Sequence, residues 1–285
     1  MADSEQELME SAPQSPEPTI RGRRIRNPKL RRGIFLLPSL FTVGNLLCGY
    51  YACVATLTGS VLQTDPFDHA SKAIGLAILF DSLDGRVARL TGTNTEFGVQ
   101  FDSLADVVSF GIAPGLLAYS WGVRHLPAME FTPFLQQISQ FGWWFCLAFV
   151  VCCAWRLARF NVQGMAPGGS KYFVGMPTPA AAGMIAAVVH AFKSPVQDWR
   201  WSIGWIFLVL GLAALMTSTI RFYSFKDLPW SRKQPSVGIV IIALLGAAIW
   251  RWSEEVLLLI AATYTAAGVT LHLIRMLRQR TTRTA

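Results

Sequence analysis

Eight apolar runs, at approximately 34–58, 69–91, 99–121, 141–162, 177–193, 200–221, 236–252 and 255–275, limit what this chain can fold into. A helix needs about 20 apolar residues to cross the hydrocarbon layer. Most of the runs reach that length; the fifth and seventh are near the short limit. The chain has 285 residues, of which 52% are hydrophobic and only 15% charged, with a mean hydropathy of +0.39. A soluble domain of that size carries more charge. The expected fold is therefore all-α: a polytopic membrane helical bundle of about eight transmembrane helices, forming one integral domain. Only Arg251-Trp-Ser-Glu254-Glu255 separates the last two runs, so they are expected to form a tight hairpin.

The net charge of +8 would suit a nucleic-acid binder, but its distribution does not. The basic residues lie between apolar runs and at the chain ends, as topology signals do. With the N-terminus in the cytoplasm, only Lys72, Arg124, Lys193, Arg200 and Arg251 of the 25 Lys and Arg fall on the far side. That bias, with an even number of helices, puts both termini in the cytoplasm. Residues 1–20 are acidic, contain Pro and Ser, lack apolar periodicity and read as a disordered tail. Residues 21–33 carry seven positive charges. They suit a topology anchor, and also attraction to anionic headgroups at about 1 kcal/mol per basic residue. No signal-peptide core follows a basic start, so no cleaved leader is expected. The expected division is a cytoplasmic tail over 1–33, a six-helix core over 34–223, and a C-terminal hairpin with a basic tail over 224–285.

Most of the other polar and sulfur side chains read as packing or anchoring residues. Cys48, Cys53, Cys146, Cys152 and Cys153 all lie in apolar runs and form no C-x-x-C pair. No two of His69, His125, His190 and His272 have metal-pair spacing. Trp121, Trp143, Trp144, Trp199, Trp201 and Trp230 fall near helix ends and read as interfacial anchors.

Four aspartates do not fit that pattern. Asp81 and Asp84 are three residues apart in the second run; Asp102 and Asp106 are four apart in the third. Both spacings put a pair on one helical face. Gly85 and Ala88 share the first face and Gly98 the second, and such small residues are expected to let the two helices approach closely. The short turn Thr91-Gly-Thr-Asn-Thr95 makes the helices antiparallel neighbours, so four carboxylates converge at their cytoplasmic ends. Four anions that close do not all stay charged without a counter-charge. Either some are protonated, as in a proton pathway, or divalent cations bind. Oxygen donors without His or Cys favour Mg2+, Mn2+ or Ca2+ over zinc. Arg86 and Arg89 lie alongside, and Arg suits phosphate oxygens. Carboxylates, metal and arginine at a membrane boundary point to a phosphate-bearing substrate with an apolar tail. A cation- or proton-coupled transporter would need acidic residues through the membrane depth, whereas these cluster at one end.

The spacing D-x2-D-G-x2-A-R-x8-G-x3-D-x3-D resembles the signature of the CDP-alcohol phosphatidyltransferases. Asp81, Asp84, Gly85, Ala88, Arg89, Gly98, Asp102 and Asp106 occupy its fixed positions. Further stretches resemble the integral-membrane phosphatidylserine synthases of that family: Leu83–Arg89, Leu104–Pro114, Arg156-Leu-Ala-Arg-Phe-Asn161, Phe173–Ala182 and Phe41-Thr-Val-Gly-Asn45. The resemblance runs from about residue 34 to 190.

That resemblance implies transfer of a phosphatidyl group from CDP-diacylglycerol to L-serine, giving phosphatidylserine and CMP. A sibling transferase with another acceptor, such as glycerol phosphate, shares the motif. The implied metal ligands, for Mg2+ or Mn2+ and possibly two ions, are Asp81, Asp84, Asp102 and Asp106, with Asp106 also the general base. Gly85, Ala88, Arg89 and Gly98 would form the CDP-diacylglycerol face, and Asn45 reaches towards it or ties helices together. Arg156, Arg159 and Asn161 would bind the serine carboxylate or a lipid phosphate, with Lys171 and Tyr172 as weaker candidates. A homodimer in a bacterial cytoplasmic membrane, with its site facing the cytoplasm, is implied in the same way.

Overall fold

The computed structural model describes residues 19–20, 23–24, 28–91, 95–126, 133–163, 172–223 and 235–281. Eight helices hold most of them: α1 (Pro28–Thr58), α2 (Asp65–Thr91), α3 (Glu96–Gly122), α4 (Pro133–Gln163), α5 (Thr178–Phe192), α6 (Trp199–Thr217), α7 (Pro235–Arg251) and α8 (Ser253–Thr281). Each apolar run lies almost wholly within one helix, and several helices extend into the polar flanks. Local chemistry explains some of the ends. The Thr95 hydroxyl accepts from the Gly98 N–H at 3.0 Å and opens α3; the Asp198 carboxylate accepts from the Arg200 N–H at 2.9 Å and opens α6. The middle of α3, Val107–Ile112, is wound as a π-helix.

Two short antiparallel ladders interrupt the all-α pattern. One pairs β1 (Thr19–Ile20) with β2 (Arg23–Arg24). The other pairs β3 (Tyr172–Val174) with β4 (Arg221–Tyr223), and joins the entry of α5 to the exit of α6. Most of the acidic tail, Lys171 and Trp230 lie outside the described residues.

Among the described residues, five helical stretches are long and apolar enough to cross a membrane: Leu40–Thr58, Glu96–Gly122, Phe141–Val162, Trp199–Thr217 and Ser253–Leu271. The chain is an integral membrane protein. The other three helices miss those criteria for separate reasons. Charges at Asp65, Asp68, Lys72, Asp81, Asp84, Arg86 and Arg89 interrupt α2, α5 has 15 residues, and α7 has 17.

Helix α1 packs along α2 and along the whole of α3; α4 packs on α6, α5 on α2, and α8 on α5. Phe67, Phe110, Phe149, Ile185, Leu212 and Met216 meet in the core. Apolar side chains that would be a liability in water point outward, among them Leu47, Leu79, Phe207 and Leu244. In lipid they cost nothing, and the span in α8 has only 6% of its residues buried. The five cysteines are free, and Cys146 and Cys153 are buried in the packing. Trp121 corrects the expectation of an interfacial anchor. It is buried in the core, edge-on to Trp205, and its indole N–H donates to the Lys193 carbonyl at 3.2 Å. An indole at a helix end is drawn inward when a buried carbonyl satisfies its one donor.

Candidate active site

Two polar residues of α1 build the floor of the site. Thr42 and Asn45 are three apart and share a face, and both are buried. The Thr42 hydroxyl donates to Asp84 Oδ2 on α2. The Asn45 amide donates to Asp106 Oδ1 on α3 at 3.0 Å. The Asn45 carbonyl accepts from Ser109 Oγ at 2.9 Å, and Ser109 lies in the π turn. Gly49, one turn further along α1, allows this contact. A Cβ there would come within 2.3 Å of Ser109 Oγ and 2.7 Å of its Cα. Helix α1 therefore meets α3 backbone to backbone just beyond Asp106, and the π turn aims that aspartate at Asn45.

This arrangement corrects the expected close approach of α2 and α3 through Gly85, Ala88 and Gly98. A Cβ on Gly85 would have open space within 4 Å, and one on Gly98 would meet only the Thr95 hydroxyl of its own N-cap. Helix α2 meets α3 chiefly through residues 107–122, with α1 packed against both. In the halves that carry the aspartates, α2 and α3 make little direct contact. The side chains of Ala88 and Arg89 lie outside the described residues.

The carboxylates still converge. One oxygen each from Asp81, Asp102 and Asp106 lie within 4.8 Å of one another. Asp84 is apart from that trio and is occupied by Thr42. Asp84 and Asp106 are 6% and 8% exposed, so solvent does little to screen them. Asp102 Oδ1 is buried without a hydrogen-bond partner among the described residues. Three oxygen donors around one point, with a buried lone pair left over, fit a hard divalent cation such as Mg2+ or Mn2+.

Among the described residues, Arg156 on α4 lies within electrostatic range of Asp106. Its Nε is buried and has no hydrogen-bond partner among the described residues. Asn161, two residues beyond Arg159, donates to Ser103 Oγ on α3 at 2.9 Å, and Ser103 donates to the Val99 carbonyl at 3.0 Å. Asn161 is thus engaged in fixing α4 against the aspartate helix. Arg86 is exposed, and Arg159 half-buried. Thr42, Ser103 and Ser109 were not among the sequence candidates. A periodic signal for the first existed: Thr42, Asn45, Gly49, Ala52 and Thr56 form a polar and small stripe on an otherwise apolar helix.

The sequence model of the CDP-alcohol phosphatidyltransferase matches residues 35–216, well over half of the chain. The chain belongs to that family. Among its relatives is a CDP-diacylglycerol–serine O-phosphatidyltransferase of Helicobacter pylori, 33% identical over 218 residues, which cover 74% of this chain and 82% of that one. The enzyme of the same name from Mycobacterium tuberculosis is 31% identical over 236 residues, 79% and 74% of the two chains. An archaetidylserine synthase of Methanothermobacter thermautotrophicus is 34% identical over 201 residues, 69% and 73% of the two. The part matched to the CDP-alcohol phosphatidyltransferases holds Asn45, all four aspartates, Arg156 and Arg159. It ends before α7 and α8.

Proposed function

We propose that this chain transfers the phosphatidyl group of CDP-diacylglycerol to L-serine, releasing CMP and leaving phosphatidylserine. The observation that carries this reading is the convergence of Asp81, Asp102 and Asp106, with Asp106 held by Asn45. The relatives named as serine O-phosphatidyltransferases support the choice of acceptor.

Asp81, Asp102 and Asp106 would hold a divalent ion, Mg2+ or Mn2+ and possibly two, with Asp84 at its edge. When bound, such an ion lowers the charge on the diphosphate and on the departing CMP. The rest of the chemistry belongs to the chain. The serine hydroxyl attacks the lipid-side phosphorus, the bond to the CMP oxygen breaks, and the hydroxyl proton passes to the Asp106 carboxylate. Asn45 keeps one Asp106 oxygen in place and leaves the other for the proton. Gly85 has free space before it, so a nucleotide can approach the α2 backbone closely there. Ala88, Arg89 and Gly98 complete that face. Arg156, as the neighbour of the base, takes the carboxylate of the acceptor whose hydroxyl the base must meet. Arg159, a turn away, suits a lipid phosphate. Much of the rate would come from holding hydroxyl and phosphorus together.

In this reading all eight helices span or line a bacterial cytoplasmic membrane. Both termini and the site face the cytoplasm, and two copies associate. The test is an acceptor screen with the purified protein, CDP-diacylglycerol and Mn2+ or Mg2+. Serine should release CMP and yield phosphatidylserine, and chelation of the metal should stop it. Turnover with glycerol phosphate but not serine would replace the acceptor while keeping the family.

A further inference from the structure

The seam between α3 and α4 is held at two points, and Asp106 lies between them. On α4, Cys146, Val150, Cys153, Leu157 and Asn161 follow one another at spacings of three or four, which puts them on one side. The start of that side meets two glycines of α3. A Cβ on Gly115 would come 2.8 Å from Val150 Cγ2 and 3.4 Å from the Cys146 carbonyl oxygen, and one on Gly111 would come 3.3 Å from Cys153 Sγ. The other end is closed by the Asn161 amide, which donates to Ser103 Oγ at 2.9 Å. The Ser103 proton is spent on the Val99 carbonyl of its own helix, so its oxygen is left to accept. Among the described residues, Glu96–Asp106 otherwise makes little contact with α4.

The two points are in register. Gly111 and Ser103 are eight residues apart on α3, and Cys153 and Asn161 are eight apart on α4. Each interval is about 12 Å of helix. Asp106 follows Ser103 by three residues and Arg156 follows Cys153 by three, so both stand on the seam. Counted from the Gly111–Cys153 contact, their levels differ by only about 3 Å. Arg156 therefore stands beside Asp106 on geometric grounds, and the electrostatic range of the two agrees with that.

We propose that Ser103 and Asn161 are a pair of positioning residues for the acceptor: their hydrogen bond fixes the end of α4 so that Arg156 stands level with Asp106. This rests on the reading of Arg156 and Asp106 given above. Arg156 and Arg159 lie in the last turns of α4, which ends at Gln163, and helix ends fray unless something ties them. Arg156 Nε has no hydrogen-bond partner among the described residues, so the backbone that carries it must be fixed from elsewhere. An arginine fixed before the substrate arrives loses less entropy on binding, and it holds the acceptor hydroxyl where the base can reach it. Asn161 thus acts through Arg156, not by touching the acceptor itself.

The test uses the full chain in lipid nanodiscs with Mn2+ or Mg2+, and measures the KM for serine, the KM for CDP-diacylglycerol and the melting temperature. Ser103→Ala and Asn161→Ala should each raise the serine KM about three- to tenfold, the range for one hydrogen bond, and leave the CDP-diacylglycerol KM within about twofold. The double variant should be no worse than the worse single one, because both remove the same bond. Ser103→Thr keeps a hydroxyl and should bring the serine KM back to within about twofold of the parent. Ser253→Ala is the control for general loosening. Ser253 Oγ is 2.9 Å from His190 Nε2 on α5, and His190 Nδ1 is 2.5 Å from Asp68 Oδ1 on α2, so this chain ties α8 to the opposite end of the bundle. Its loss should lower the melting temperature and move neither KM. If Asn161→Ala raises the serine KM and Ser103→Ala does not, Asn161 contacts the acceptor directly and the positioning role is overturned. If both variants lower only the melting temperature, as Ser253→Ala does, the bond is a structural tie and the proposal is overturned as well. Arg156→Lys separates the two levels: if it raises only the CDP-diacylglycerol KM, the acceptor reading of Arg156 fails, and this inference with it.

Discussion

Asp68 and Asp106 lie on different helices towards opposite ends of the bundle, and their surroundings differ in one respect. Asp68 is matched: Lys72 stands 2.7 Å from one oxygen and His190 2.5 Å from the other. Asp106 is not. It faces Asp81 and Asp102, and has the neutral Asn45 amide at 3.0 Å and one arginine nearby. Both clusters tie helices together, but among the described residues only the first is complete. A buried charge without an internal partner is costly, and it persists where a ligand supplies the partner. The contrast separates a structural tie from a site more sharply than the number of acidic residues does, since each end has several.

The largest expected effect comes from removing the unmatched charge that would move a proton. Asp106→Asn keeps the size of the side chain. Turnover should fall by about 10²–10⁴-fold, the range for loss of a general base. Binding of CDP-diacylglycerol, followed by competition with a labelled analogue, should stay measurable. A loss below tenfold in CMP release would put Asp106 with Asp68 among the structural aspartates.

Much of this was legible in the sequence because membrane helices report themselves by length and hydropathy. The eight runs found eight helices, and the tight turn between α7 and α8 is where Arg251 and Ser253 put it. The aspartate spacing anticipated that Asp81, Asp102 and Asp106 converge, because i, i+3 and i, i+4 positions share a face whatever surrounds them. What was illegible depended on partners from other helices. Nothing local says that the Gly85 and Gly98 faces do not meet while Gly49 on α1 meets Ser109 closely. Nor does a periodic pattern forecast the π turn at Val107–Ile112. His190 looked like an isolated histidine. Its partners, Asp68 and Ser253, are 122 and 63 residues away in the chain.

An intermediate effect is expected at Asp84, whose match is a hydroxyl. Thr42→Val removes that donor without changing the shape, so a buried carboxylate loses its partner. The expected loss is about 1–3 kcal/mol of stability, read from the denaturation midpoint in detergent. Ser82→Ala is the control. The Ser82 hydroxyl is exposed and only returns to the Ile78 carbonyl of its own helix at 2.8 Å, so its loss should stay within about 0.5 kcal/mol. Equal effects would mean that Asp84 does not depend on Thr42.

The smallest effect belongs to the outermost pair at the matched end. Lys193 and Glu254 join α5 to α8 in the open, where water and salt weaken a charge pair. Lys193→Met should move the melting temperature by no more than a degree or two, and less still in 0.5 M salt. The hydrogen bond to Glu254 raises the Lys193 pKa above its ordinary lysine value. A raised pKa stabilises the fold fully below the unfolded-state value, near 10.4, and the benefit is lost as pH climbs through the folded value. The Lys193→Met difference should therefore stay flat from about pH 7 to 9 and shrink only in strong alkali. A shift of many degrees at neutral pH would show that this pair, rather than the buried Asp68–His190–Ser253 chain, fastens α8. The comparison between the ends would then turn on an exposed contact instead of a buried one.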